Sequence, residues 1–133
     1  MNIPEQLKYT SDHEWVKLAV DEEIDGMPVA YVGITDFAQH ELGDIVFIEI
    51  ETEGEELQQG AIFGAVEAVK TVSDLFMPLS GKVLEKNTAL EDEPEIVNND
   101  PYNNGWMIKI AISDPAQIEG LLDAKGYEAE IGN

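Results

Sequence analysis

The chain has 133 residues, enough for one domain to bury a core without disulfides or a structural metal, and its 44% hydrophobic content marks a folded protein, not an acidic disordered tail. Seven basic residues, all lysine, face 28 acidic ones for a net charge of −21, which argues against nucleic acid and anionic membranes as partners. Cysteine is absent, which excludes disulfides, cysteine metal sites and thiol catalysis.

No apolar run approaches the roughly 18 residues of a membrane span, and residues 1–10 have neither a signal-peptide nor a transit-peptide pattern. A cytoplasmic protein is expected, or a matrix protein if this is a trimmed mature form. The negative field steers toward basic partner surfaces and opposes self-association, so a monomer is expected; solubility or adaptation to salt explains the same charge.

Along the chain, residues 13–20 alternate, with Val16, Leu18 and Val20 on one face, which predicts a half-buried strand. Residues 21–28 read as an acidic loop with Asp25-Gly26 as its turn, and 29–34 as the returning strand. Thr35 can cap a helix over 36–42 that Gly43 ends. An apolar strand follows over 45–50, and 52–60 is polar and turn-like.

Residues 61–69 predict a strand with Gly64 inside it, a sign of close backbone packing. A turn over 69–73, a strand over 75–79 interrupted by Pro78, a Ser80-Gly81 turn and a strand over 82–86 come next. Residues 89–104, with Pro94 and Pro101, read as an ordered loop, and 106–112 as a last strand. Ser113 or Asp114 then caps a helix with Pro115 in its first turn, Ile118, Leu121 and Leu122 at helical spacing, and Gly126 as its end. Many short strands and two small helices predict a β-rich barrel or sandwich over 1–133.

The stretch 64–83 carries the chemistry. Two strand-like runs flank Lys70 and place it at or near a hairpin tip, projecting into water. A lysine ammonium is no nucleophile until it loses a proton, so modification at one lysine of seven needs an enzyme that reads its surroundings. Glu67 and Asp74, three residues before and four after, are the candidate recognition charges. On spacing alone, an ordinary solvated turn lysine is the stronger reading.

The segment VEAVKTVSDLFMPLSGKV, 66–83, resembles the lipoyl-attachment segment of glycine cleavage H proteins, E-S-V-K-x-x-S-D-x-x-x-P-x-S-G. Glu67, Val69, Lys70, Ser73, Asp74, Pro78, Ser80 and Gly81 match, and Ala68 departs where Ser is usual. LKYTSDHEWV at 7–16, VGITDFAQHELGDIVFIEI at 32–50 and PEIVNNDPYNNGWMIKI at 94–110 resemble further blocks of that family in the family's order. The 21–28 loop looks longer than usual, and 51–54 lacks a common proline.

The resemblance implies a mainly β barrel-sandwich hybrid, like lipoyl and biotinyl carriers, with small flanking helices including a C-terminal one. It implies a carrier and not a catalyst, with lipoate in amide linkage to Lys70 through lipoate-attaching enzymes that read Glu67, Asp74 and Gly81. Its partners would be the P protein, a pyridoxal-phosphate glycine decarboxylase that loads the aminomethyl group, the T protein, an aminomethyltransferase, and the L protein, a dihydrolipoyl dehydrogenase. The loaded arm would fold back into a cleft at Glu14, with Asp12 beside it.

Gly43, Gly64, Gly81 and Gly105 are expected in turns or close packing, and Trp15 and Trp106 in the core. His13 and His40 have no neighbouring cluster that points to a metal. Val69 and Thr71 stand where biotin carriers place Met, and neither the D-K-A motif nor the linker of 2-oxo acid dehydrogenase lipoyl domains is present. A relay protein that hands lipoate to other enzymes would share these motifs, and an interaction module with an unmodified Lys70 would share the fold.

Overall fold

The computed structural model describes residues 2–132. Nine strands form two sheets. The larger holds β1 (Lys8–Tyr9), β2 (Glu14–Ile24), β3 (Met27–Ile34), β5 (Glu56–Leu57), β8 (Gly81–Lys86) and β9 (Ile108–Ile112) in the order β1-β2-β3-β9-β8-β5. The smaller holds β4 (Ile45–Glu49), β6 (Ile62–Ala68) and β7 (Val72–Phe76), with β6 central. All pairings are antiparallel.

The main core lies between the sheets. Val16, Val32, Ile108 and Ile110 meet Ile48, Phe63, Val66 and Leu75, all buried. Each such side chain withdrawn from water contributes about 1.5–3 kcal/mol. A second cluster, Leu7, Tyr9, Trp15, Tyr102 and Tyr127, covers the other face of the larger sheet. Trp15 and Val16 therefore point into different cores, as strand alternation demands. Gly33 pairs with Trp15 and leaves room for the indole: a Cβ there would lie 2.7 Å from its ring. The indole N–H donates to the Pro101 carbonyl at 3.0 Å.

Helix α1 (Asp36–Leu42) has the expected ends. Thr35 Oγ1 accepts the Ala38 N–H, and the Gly43 N–H, at φ 78°, donates to Gln39. Elsewhere local reading was too coarse. The acidic 21–28 segment is mostly strand: β2 and β3 continue to Ile24 and from Met27, and only Asp25 (φ 50°) and Gly26 (φ 80°) turn, the pair of positive φ values of a tight hairpin. Residues 20–26 are all exposed, so no alternation betrayed the strand.

The 89–104 loop contains two one-turn helices, α2 (Ala89–Asp92) and α3 (Ile96–Asn99), which bury Leu90 and Val97. The final helix is split. Pro115–Gly120 is 3-10, Leu121 and Leu122 are extended, and Leu122 exchanges two backbone hydrogen bonds with Tyr9. Gly126 does not end a helix; it lies in the first turn of α4 (Ala124–Glu130), where its N–H donates to the capping Asp123 carboxylate at 2.7 Å. No helix among the described residues is long and apolar enough to cross a membrane.

Candidate functional site

Strands β6 and β7 pair from Ile62–Phe76 to Glu67–Val72, and the chain reverses in a two-residue turn at Val69 and Lys70. The Ala68 N–H donates to the Thr71 carbonyl at 2.8 Å, closing the turn. This is tighter than the expected 69–73 turn, because Ser73 and Asp74 pair with Val66 and Ala65. The Val69 N–H donates to the Asp44 carbonyl at 3.1 Å and so ties the turn to the start of β4. Lys70 is exposed, and neither Val69 nor Lys70 is among the described residues with positive φ. The lysine projects from a held backbone.

Glu67 and Asp74 are both exposed on the outer face of the smaller sheet, Glu67 opposite Val72 and Asp74 opposite Ala65. Gly81 is different. It is buried in β8, paired with Leu57 and Ile112, and a Cβ there would lie 2.3 Å from the Ala111 carbonyl oxygen. A buried glycine offers a modifying enzyme no surface.

β7 is an edge strand of its sheet, and Glu14 meets that edge at Phe76. Glu14 is 2% exposed, so it is not a solvated strand carboxylate. Thr10 Oγ1 donates to Oε1 at 2.8 Å, and the Phe76 N–H of β7 donates to Oε2 at 3.4 Å. Burial pushes the Glu14 carboxyl up to about 8; the Thr10 and Phe76 hydrogen bonds hold it down, and the Asp12 charge adds to the rise.

Between Glu14 and the hairpin runs a cleft of about 220 Å³. Ile34, Phe37, Leu42, Val66 and Leu75 give it apolar walls, Asp12, Glu14 and Glu41 add acidic residues, and β7 borders it from Ser73 to Leu75. A larger groove of about 550 Å³ lies against the N-terminal segment and the 98–103 loop and is lined largely by Asn, Asp and Pro; Lys70 and Glu14 take no part in it.

Sequence reasoning missed the support behind the cleft. His13 stands at φ 70°, a conformation few non-glycine residues adopt. Its Nδ1 lies 2.8 Å from the Tyr127 hydroxyl, which lies 2.7 Å from Thr35 Oγ1. Burial lowers the His13 pKa, against Asp12, Glu130 and Glu41, which raise it. Through the His13–Tyr127–Thr35 hydrogen bonds, helix α4 braces the cleft wall. No local signal marks this support, because the partners of Tyr127 lie 114 and 92 positions away. Among the described residues, no group of three or more His, Asp or Glu is arranged to hold a metal ion. Trp15 is core, as expected, and Trp106 is half-buried against Tyr31.

Two small sheets with a lysine at the tip of one hairpin define a carrier domain of the barrel-sandwich class. The family model for the glycine cleavage H-protein matches residues 7–133. A glycine cleavage system H protein of Bacteroides fragilis is 54% identical over 131 residues, 98% of each chain, and one of Pelodictyon phaeoclathratiforme is 55% identical over 132 residues, 99% of each. The crystal structure of a glycine cleavage system H protein from Mycobacterium marinum superimposes with a TM-score of 0.82 at 39% identity, covering 98% of this chain and 100% of that one. The chain belongs to the glycine cleavage H-protein family.

Proposed function

We propose that this chain, as one unit over 1–133, is the non-catalytic carrier of a glycine cleavage system, with lipoate in amide linkage to Lys70. The observation that carries the reading is the exposed Lys70 on a turn tied to β4, at the end of a hairpin whose strands wall a cleft closed by Glu14. When bound, lipoate supplies a disulfide that accepts the aminomethyl group and is later reoxidised. The partners are the P, T and L proteins and the lipoate-attaching enzymes; we place all of them with the carrier in the cytoplasm, in keeping with its bacterial relatives.

The residues fit such a group. From the Lys70 Cα to the first sulfur is about a dozen bonds, roughly 14 Å when extended. The four residue steps from Lys70 to Asp74, run in extended chain, span roughly 13 Å. An arm folded back along β7 therefore reaches the cleft. Phe37, Leu42 and Leu75 would exclude water from its aliphatic part, and Glu14, with Asp12 near it, would accept hydrogen bonds from a terminal amine. Glu67 and Asp74 would identify Lys70 to the attaching enzyme, and Gly81 would act through packing.

Intact mass and peptide mapping of protein from lipoate-replete cells test the reading. One lipoyl group at Lys70, absent from Lys70→Arg, is the expected result. An unmodified Lys70 that is also inert to a lipoate ligase would sink it. For the cleft, Glu14→Gln is expected to release the loaded arm sooner; equal retention would remove Glu14 from the role.

A further inference from the structure

The smaller sheet leaves apolar side chains uncovered around the Lys70 turn. Eight large apolar residues are exposed among the described residues, and four of them, Val46 (50%), Phe47 (47%), Val69 (72%) and Val72 (64%), lie around the Lys70 turn. A β-bulge places two of them. Ile45 pairs with Ala68 and Phe47 with Glu67, so β4 carries one extra residue, Val46, against two consecutive residues of β6. In a regular strand, Val46 and Phe47 would point to opposite faces. Here both are exposed, between buried Ile45 and Ile48. The paired positions Phe47, Glu67 and Val72 then form one row across all three strands, next to the turn.

We propose that Val46, Phe47, Val69 and Val72 form an apolar docking collar for the enzyme that acylates Lys70, with Glu67 as its charged contact. The proposal rests on the reading that Lys70 is modified. The partner surface it requires is an apolar depression with a basic side chain at its rim, set opposite Glu67. Four apolar side chains around one carboxylate, on a chain of charge −21, select that combination over a purely basic patch.

Reach decides which partner needs the collar. In acylation by an acyl adenylate, one proton leaves the ammonium and frees its electron pair. The amide bond forms, the mixed-anhydride C–O bond breaks with its electrons on AMP, and a second proton leaves the nitrogen. All of this happens at Nζ, about five bonds or roughly 6 Å from the Lys70 Cα. The acylating enzyme must therefore press against the turn itself. Enzymes that act on the far end of a dozen-bond arm stand off by more than twice that distance.

The test is steady-state acylation of the full-length protein by a lipoate ligase with ATP and lipoate. Phe47→Ser with Val72→Ser is expected to raise KM for the carrier about tenfold and leave kcat within twofold. Phe47→Leu should restore most of the KM, and Glu67→Lys should raise it. Val20→Ser, an exposed change on the other sheet, should leave both constants unchanged. An unchanged KM in the double variant overturns the proposal. So does a fall in kcat alone, which would mean that the collar shapes the turn. A wild-type dimer that the double variant dissolves would make the collar a self-contact and overturn it as well. Failure of every protein, wild type and Val20→Ser included, to be acylated would instead remove the reading of Lys70 on which the collar depends.

Discussion

The Val69 amide donates to the Asp44 carbonyl, and through that bond the turn bearing Lys70 hangs from β4 as well as from its own hairpin. Asp44 is itself held in place. On either side of it, Asn98 Nδ2 donates to the Gly43 carbonyl at 2.9 Å and Asn98 Oδ1 accepts the Ile45 N–H at 3.0 Å. Asn98 Nδ2 also donates to Gln39 Oε1 at 3.0 Å. A side chain 28 positions after the lysine thus fixes the corner from which the lysine's turn is suspended.

Asn98→Ala leaves the partly buried Ile45 N–H and Gly43 carbonyl without their partners, and we expect a loss of about 2–3 kcal/mol in urea denaturation. Faster hydrogen exchange at the Val69 amide should accompany it. Asn98→Asp keeps the acceptor for Ile45 but turns a carboxylate toward two oxygens, and should be no better than alanine. An Asn98→Ala protein as stable as wild type would show that the corner holds without this residue.

Gly81→Ala puts a methyl 2.3 Å from the Ala111 carbonyl, which is backbone and cannot swing away. A loss of about 2–4 kcal/mol is expected. If Gly81 matters to modification only through packing, acylation of Lys70 falls in proportion to the folded fraction and no further. Rates measured beside circular dichroism at several temperatures check this. A rate that collapses while the protein stays folded would restore Gly81 as a contact.

These residues also show why parts of the molecule were legible and others were not. Thr35 and Gly43 mark α1 because caps are local and each acts within four residues. Lys70 was legible as a hairpin lysine for the same reason. The burial of Glu14 was not, because its cover comes from Phe76, 62 positions on, and a carboxylate on an alternating strand looks solvated. Val46 and Phe47 looked like core in an apolar run; only pairing with β6 reveals the bulge that turns both outward. Gly126 looked like a helix end, yet Asp123 captures its amide and starts the helix there. The misreadings share one cause: the deciding partner was either distant in sequence or a cap read from the wrong side.

Charge makes a further expectation. With 28 acidic and seven basic residues, only two ion pairs occur among the described residues, Lys86–Glu91 and Lys109–Glu22. Unpaired carboxylates repel one another in the folded state more than in the unfolded chain. Salt shortens the screening length from about 30 Å at 0.01 M to about 8 Å at 0.15 M. We expect the melting temperature at neutral pH to rise by several degrees over that interval, by scanning calorimetry, and to rise less for a variant with three exposed Glu replaced by Gln. A melting temperature that falls with salt would mean that the two ion pairs outweigh the repulsion.

Glu14 gives the sharpest pH dependence. Its carboxyl is raised from an ordinary value near 4.5 to about 8, chiefly by burial. The folded protein therefore binds the Glu14 proton more tightly than the unfolded chain does. That stabilising contribution is fully present below about pH 4.5 and is lost as pH rises through about 8. At about 1.4 kcal/mol per pKa unit, the window carries roughly 5 kcal/mol. The other ionisable groups around the cleft, Asp12, His13, Glu41 and Asp74, are the same in both proteins, so the difference between wild type and Glu14→Gln isolates the one carboxyl. The variant should gain on wild type steadily between pH 5 and 8 in urea titrations, then run parallel above pH 9. A terminal amine seated against Glu14 would favour its ionised form and erase much of this cost. The loaded carrier should then show a weaker loss of stability with pH than the free carrier. Parallel curves for wild type and Glu14→Gln across the whole range would mean that the carboxyl titrates as if it were in water.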